Sequence, residues 1–472
     1  MFKKYTIGVL FLLVTLTGNG QTYLPGGVPV YKIWLQGNSS EIETINFNPV
    51  VTTADDSEQF GNTFSDLNLK AACIFAVFKQ QDGEREQFIW GIRNSEGAFN
   101  TIMSSKRLAD FNRKQFINFS NTRPLKPQLS TYFRSGEQDD YEESVHQLEL
   151  LNTNYEDVVP FDGFSGELAE LIVFERMLSP LQREKIESYL SIKYGIPFHP
   201  NANHKYLSSQ NINLWDPSDN EEYRFRTTAI GRDDFSGLNQ PKSKNTQDQK
   251  SVLIAYENHA KVSIPDSSSI LDQAFLFWSD NNESLAPHLD DDLDLKVLAR
   301  RWQVVPSGVP QEWRTMLEYD VSNLIVQPHE QVWLVQFSDN ENANKTQFHA
   351  PIKVADGLVS YQDVIWDADE SGSDLFSFGL GPLMICELDL KHADCSASEF
   401  GSIGLTVKGG IAPYQIFMTD VESQNTICDV IVDEMHDIES IESGIFDLIV
   451  RDANGLIYKR RIRIKNLSLI HI

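Results

Sequence analysis

Short apolar and β-branched runs recur along the chain, separated by polar stretches rich in turn residues. AACIFAVF (71–78), EQFIWGI (86–92) and ELIVFER (170–176) lie in the first part of the sequence. This spacing predicts the strands of a sandwich. From about residue 198 the same texture continues through TTAIG (227–231), AFLFWSD (274–280), EQVWLVQF (330–337) and LFSFGLG (375–381). No helical period interrupts it there. A third region, from about 385, carries GLTVKGGIAPYQIFM (404–418) and GIFDLIVRDANGLIYKRRIRI (444–464), the pattern of a small antiparallel module.

One segment breaks this run of β-type sequence. In SPLQREKIESYLSIKYG (179–195), Ser179 is placed as an N-cap, Pro180 at the first helical position and Gln182 as the reciprocal acceptor of a capping box. Gly195 and Pro197 supply the stop. Ile186, Tyr189, Leu190 and Tyr194 form an apolar stripe, read here as core rather than chemistry. In the strand just before it, Leu171 and Val173 face one way and Ile172 and Phe174 the other, so that strand is expected to be covered on both faces.

Composition narrows the function classes. The 472 residues carry a formal net charge of −27, which opposes binding to nucleic acid or anionic lipid. At the N-terminus, Lys3 and Lys4 precede an apolar stretch from Ile7 to Leu16, followed by Gly18 and Gly20. Residues 1–21 therefore read as a secretory signal peptide, too short to span a bilayer, and the expected location is secreted, extracellular or on the outer cell surface. No transmembrane segment is expected after it. Of the four cysteines, Cys73 sits in a run apolar on both sides and reads as a buried thiol. An extended strand between Cys386 and Cys395 would hold them about 30 Å apart, so Cys395 and Cys428 are the expected disulfide pair.

FSGELAELIVFERMLSPLQREKIESYLSIKYGI (164–196) resembles the closing strand and following helix of concanavalin A-like (laminin G-like) jelly rolls in bacterial surface proteins. GGVPVYKIWLQG and NFNPVV resemble that family's opening strands. LWDPSDNEEYRFRTTAIGRDDFSGLNQPKSK (214–244) resembles the segment that follows the helix in the same proteins. VKGGIAPYQIFM and IESGIFDLIVRDANG are similar to SprB-type Ig-like repeats, although Leu456 stands where those repeats often place a cysteine. The terminal LSLIHI resembles translated sequencing-adapter read-through and is set apart from the fold. The resemblance implies a mainly β protein: a signal peptide (1–21), a jelly roll with its closing helix (22–197), a β-rich domain of unknown function (198–384), and a truncated Ig-like repeat (385–466). It also implies type IX secretion, with an anchor and sorting signal beyond the sequenced end.

The chain has no HExxH, GxSxG, Walker or GxGxxG signature. Asp290, Asp292 and Asp294 alternate in HLDDDLDLK, but they lie outside the jelly roll and read as a solvated acidic loop. Calcium is the one cofactor that the acidic segments suggest. DADESGSD (367–374) imitates the start of an EF-hand loop through Asp367 and Asp369, yet Phe378 holds the position of the bidentate Glu, and between strand-like QDVIW and LFSFG the stretch reads as a polar hairpin turn before it reads as a calcium loop. Asp233 and Asp234, after a strand, offer carboxylates either to a cation or to local backbone N–H groups. No catalytic residue is assigned. The expectation is an adhesin-like protein that binds an extracellular glycan or protein ligand; a glycan-processing enzyme on the jelly roll is the alternative.

Overall fold

The computed structural model describes residues 23–37, 43–52, 63–83, 85–111, 114–119, 125–135, 146–150, 163–248, 250–256, 270–290, 293, 295–310, 313–337, 346–393 and 400–466. The chain is mainly β, and its named strands pair antiparallel throughout. The signal-peptide reading and the terminal LSLIHI fall outside the described residues.

Two sheets make the first sandwich. One orders Ile33–Gln36, Gly166–Phe174, Ala72–Gln80 and Gln128–Arg134, with Val51–Thr52 also against Gly166–Phe174. The other orders Gln115–Asn118, Arg107–Asp110, Phe99–Ser104, Phe88–Arg93, His146–Leu150 and Thr63–Leu67. Between them Ile74, Ala76, Phe78, Leu171 and Val173 pack on Trp90, Ile92, Met103 and Leu148. The alternation read from the sequence holds, because Ile172 and Phe174 point the opposite way with Phe75 and Val77. All nine residues of Gly166–Phe174 are buried, as a strand covered on both faces requires.

The cover on that second face is α1, Pro180–Tyr194. Ser179 and Gln182 form the expected capping box, and Gly195 takes the left-handed conformation at φ 61°, ψ 33°. A Cβ at Gly195 would also lie 2.3 Å from the Lys244 carbonyl oxygen, so both backbone and space call for glycine. Ile186, Tyr189, Leu190 and Tyr194 are buried against the sheet. Burial of an Ile or Leu side chain of this kind stabilises by roughly 1.5–3 kcal/mol. The same apolar cluster continues into Tyr206, Leu214, Trp215, Ala229, Phe275 and Phe277. The expected division at 197 and 198 therefore runs through one core, with the helix as an inner layer.

Beyond the helix, a nine-stranded sheet centred on Phe275–Asp280, Trp302–Ser307 and Asp374–Pro382 faces a five-stranded sheet centred on Arg314–Asp320 and Leu358–Ile365. Trp302, Tyr319, Tyr361, Phe376 and Phe378 fill the space between, the Tyr319 and Phe378 rings stacking at 4.1 Å. Among the described residues here, the helical elements are two short turns, Glu221–Tyr223 and Asp234–Ser236. The third module packs a three-stranded sheet on a four-stranded one around Met384, Ile403, Leu405, Ile416, Leu448 and Val450. Trp333, Phe348, Ile385 and Tyr458 meet across its junction with the second unit.

Candidate functional site

The most concentrated polar chemistry lies where α1 crosses the first sandwich. Glu170 shares the parity of Ile172 and Phe174, so the pleat aims a carboxylate into the apolar face beneath the helix. Its side chain is fully buried. Register places Gln36 opposite Glu170 and Trp34 opposite Ile172 on the neighbouring strand. Trp34 Nε1 and Tyr189 OH donate to Oε1 at 2.6 and 3.0 Å. Tyr194 OH and Lys193 Nζ donate to Oε2, each at 2.8 Å. The Gln36 amide, its oxygen turned inward, accepts from Lys193 Nζ at 3.2 Å.

This geometry fixes rather than reacts. A buried carboxylate is tolerable when its lone pairs are filled and a cation neutralises it, and Glu170 has both. Burial, reinforced by the Glu170 charge, pushes the hydroxyls of Tyr189 and Tyr194 well above the usual tyrosine range. They remain proton donors to the carboxylate. The helix stripe read as purely apolar thus carries two hydroxyls that converge on a buried acid. The parity of Glu170 with Ile172 and Phe174 is legible in the sequence, but the donors that meet it come from Trp34 and α1 and are brought there only by the fold.

Other glutamates of the first sandwich follow the same rule. Glu86 meets Arg107 at 2.5 Å, Glu149 meets Arg93 at 2.5 Å, and Glu167 meets Lys79 at 2.9 Å. Burial opposes ionisation of Glu86, but hydrogen bonds from Arg107 and Ser104 outweigh it and hold the carboxyl below its usual range. For Glu167 burial prevails over Lys79 and raises the carboxyl.

The calcium candidates divide into two separate places. Asp233 is buried and accepts from the Ser209 N–H at 2.7 Å, the Ser209 hydroxyl at 2.6 Å and the Ser236 N–H at 3.3 Å. Asp234 forms a two-pronged pair with Arg232 at 2.6 and 2.9 Å. Asp367 accepts from the Gly372 N–H at 2.8 Å and the Ser371 hydroxyl at 3.3 Å, and Asp369 accepts from the Ser371 N–H at 3.3 Å. Among the described residues no three His, Cys, Asp or Glu side chains converge as a metal cage. The 367–374 stretch is not a hairpin turn, since it carries the chain from Leu358–Ile365 in one sheet to Asp374–Pro382 in the facing sheet. Asp290 accepts from the Leu293 N–H at 3.2 Å at the end of a hairpin strand; Asp292 and Asp294 lie outside the described residues. Cys428 is a buried free thiol, and Cys395, its expected partner, also lies outside them.

Sequence reading missed one further cluster. Asp374 Oδ2 accepts from the Asp367 N–H at 2.5 Å and from Gln336 Nε2 at 2.7 Å, and Gln336 Oε1 meets His349 Nε2 at 3.2 Å. Burial pushes Asp374 up to about 6 despite these hydrogen bonds. Burial, with Lys408 nearby, lowers His349 to about 4.

Residues 182–371 match a family model described as Domain of unknown function (DUF8202). The DUF8202 match begins inside α1 and ends within the turn that holds Asp367 and Asp369, covering less than half of the chain. No curated protein matches. Among solved structures, a Ruminococcus gnavus beta-glucuronidase aligns at TM-score 0.15 and 9% identity, over 41% of this chain and 34% of that one. A Faecalibacterium prausnitzii beta-glucuronidase aligns at TM-score 0.15 and 10% identity, over 50% of this chain and 45% of that one. The chain thus spans less than half the length of either, and overlap at this TM-score carries no argument about activity.

Proposed function

We propose that the chain is a secreted or cell-surface, adhesin-like protein that binds an extracellular glycan or protein and does not process it. The commitment of the first sandwich's glutamates carries this reading. Glu86, Glu149, Glu167 and Glu170 each hold a cationic partner, and Glu170 holds three further donors. A retaining glycosidase needs one carboxyl free to give a proton and another free to attack, about 5 Å apart. Carboxylates clamped by Arg and Lys serve instead to fix sheets and helix. Export rests on the signal-peptide pattern and on the resemblance to type IX-secreted surface proteins. Among the described residues no helix is long and apolar enough to cross a membrane.

The test is a glycan array probed with purified protein, with and without chelator, followed by a reducing-end assay on every glycan bound. Retention without new reducing ends is the expected result, and calcium dependence would show as loss with chelator. Release of reducing ends would establish the glycan-processing alternative.

A further inference from the structure

Positive charge in the third module gathers on one face. Its four-stranded sheet orders Thr426–Val432, Tyr414–Asp420, Gly444–Arg451 and Ile457–Ile464, and all of these residues are described. Ile416, Leu448, Val450, Ile462 and Ile464 point into the core. Alternation therefore turns Phe417, Ile449 and Arg451 outward, with Lys459, Arg461 and Arg463 on the last strand. Lys465, just past that strand, keeps the same parity and is exposed. Residues 444–466 hold six cations and two acids, in a chain whose net charge is −27.

Both acids are committed. Asp447 pairs with Arg461 at 2.7 and 3.0 Å. Asp452 is buried and accepts the N–H groups of Ile411, Asn454 and Leu456 at 3.0, 2.9 and 2.8 Å. Among the described residues, the side chains of Arg451, Lys459, Arg463 and Lys465 make no hydrogen bond or ion pair. Lys459 to Lys465 span about 20 Å at strand spacing. Charges on an edge strand commonly serve to keep other strands away. This edge is already taken at both ends, where Tyr458 packs with Ile385 and Trp333, and where the Ala393 N–H donates to the Lys465 carbonyl at 3.0 Å. The cations therefore have no edge to guard, and a peptide strand has no open backbone to pair with. Beside them lies an apolar strip: Phe417 opposite Ile449, Ile449 opposite Lys459, and exposed Ile457 opposite Arg451. Phe417 is the one aromatic on this face and is half-buried, so successive nucleotide bases find no stacking platform.

We propose that this outer sheet face binds an anionic polysaccharide. Its carboxylates or sulfates meet Lys459, Arg463 and Lys465 along the strand and Arg451 beside it, the two guanidinium groups gripping in two-pronged fashion. The apolar faces of its sugar rings lie on Ile449, Ile457 and Phe417. Screening over about 8 Å at physiological salt lets these local cations outweigh the distant acids of the chain. The proposal rests on the extracellular binding reading and names the class of glycan and its place.

The direct test is titration of the full chain with labelled heparin and labelled polygalacturonate, followed by fluorescence anisotropy. Controls are neutral dextran, poly-glutamate and oligothymidylate. At least one of the two anionic glycans is expected to bind and to weaken with added salt, while dextran does not bind. Heparin alone would assign sulfate as the recognised group, and polygalacturonate alone would assign carboxylate. Lys459→Gln with Arg463→Gln is expected to lose about tenfold or more in affinity and to flatten the salt dependence. Lys353→Gln with Lys391→Gln removes the same charge from exposed positions elsewhere and is expected to bind as the parent does. Circular dichroism checks that both variants fold. The proposal is overturned if neither anionic glycan binds, if both double variants lose affinity equally, or if poly-glutamate or oligothymidylate binds as tightly. A salt-sensitive dimer that Lys459→Gln with Arg463→Gln dissociates in sedimentation velocity would assign the face to a second copy instead. Glycan-array binding that survives in this variant, with no affinity for either polyanion in the parent, sinks this proposal and spares the broader reading. Reducing-end release with polyanion binding intact does the reverse.

Discussion

At the scale of single residues, Glu170 is the most consequential polar group described. Removing it takes the carboxylate from the Lys193 ammonium, 13% exposed, and from two buried tyrosine hydroxyls, leaving them only the neutral Gln36 and Ala169 oxygens at 3.1–3.3 Å. Breaking a buried pair from one side typically costs about 3–5 kcal/mol, and Glu170→Ala should fall in that range by urea denaturation. Replacing the cluster by matched apolar groups, Glu170→Leu with Lys193→Met, should recover part of the loss, because no unpaired charge then remains. A cost below about 1 kcal/mol for Glu170→Ala would show that water reaches the cluster. Gly195→Ala makes a separate claim. It meets both the left-handed backbone and the Lys244 carbonyl, so a loss above the roughly 1–2 kcal/mol of left-handed strain is expected in the same assay. The sequence announced Gly195 through helix-stop chemistry. It hid Glu170, because a strand's parity is visible in one dimension while the donors that make a buried acid tolerable come from Trp34 and α1, far away in sequence.

Elements show a different balance. The runs around Phe75, Ile172, Phe277 and Trp333 were legible because short continuous apolar runs bounded by turn residues are a local signal. The helix was legible down to its capping box for the same reason. Sheet membership was not, and the 367–374 turn illustrates why: its polar residues mark a turn, but only tertiary pairing decides whether the flanking strands are neighbours or lie in opposite sheets. That crossing brings Asp374 to Gln336 and His349, and the cluster has a testable pH signature. Asp374, raised to about 6, binds its proton more tightly folded than unfolded, so its contribution is greatest at low pH and is lost as pH rises through 6. His349, lowered to about 4, is held neutral, so its contribution is full above the usual histidine range and is lost as pH falls toward 4. The two slopes oppose each other between about pH 4 and 6.5. Asp374→Asn should therefore unmask a loss of stability on acidification, and His349→Gln a gain, each up to roughly 3 kcal/mol across that window by denaturation at fixed pH. Equal slopes in both variants and the parent would dissolve the assignment. Asp367 and Asp369 reinforce the upward shift of Asp374 and stay in place in either variant.

At the scale of the whole molecule, α1 determines how the chain comes apart. A helix between two modules could be a hinge, with each sandwich complete on its own side. The core argues otherwise, since Phe174 and Tyr189 from the first unit share one cluster with Tyr206, Trp215 and Phe277 from the second. Polar contacts follow the same path: the Lys185 ammonium donates to the Ser209 carbonyl at 2.6 Å, and the Leu207 N–H donates to the Ser188 hydroxyl at 2.9 Å. On the other side, Asn46 reaches the Lys193 carbonyl at 3.1 Å and the Ser243 hydroxyl at 2.9 Å, joining first unit, helix end and second unit at one residue. A fragment of residues 22–197 would retain its capping box but lose the cover over one side of α1. It should bind the dye ANS and melt below the temperature of a 22–384 chain, whose two units should unfold together in one calorimetric transition. Leu190→Ala in the longer chain sharpens the point. The substitution should lower that transition as a unit, by the equivalent of about 2–5 kcal/mol, rather than split it into a shifted and an unshifted peak. Two resolved peaks in the parent, with Leu190→Ala moving only the first, would mean that the shared core does not couple the units and that α1 belongs to the first sandwich alone.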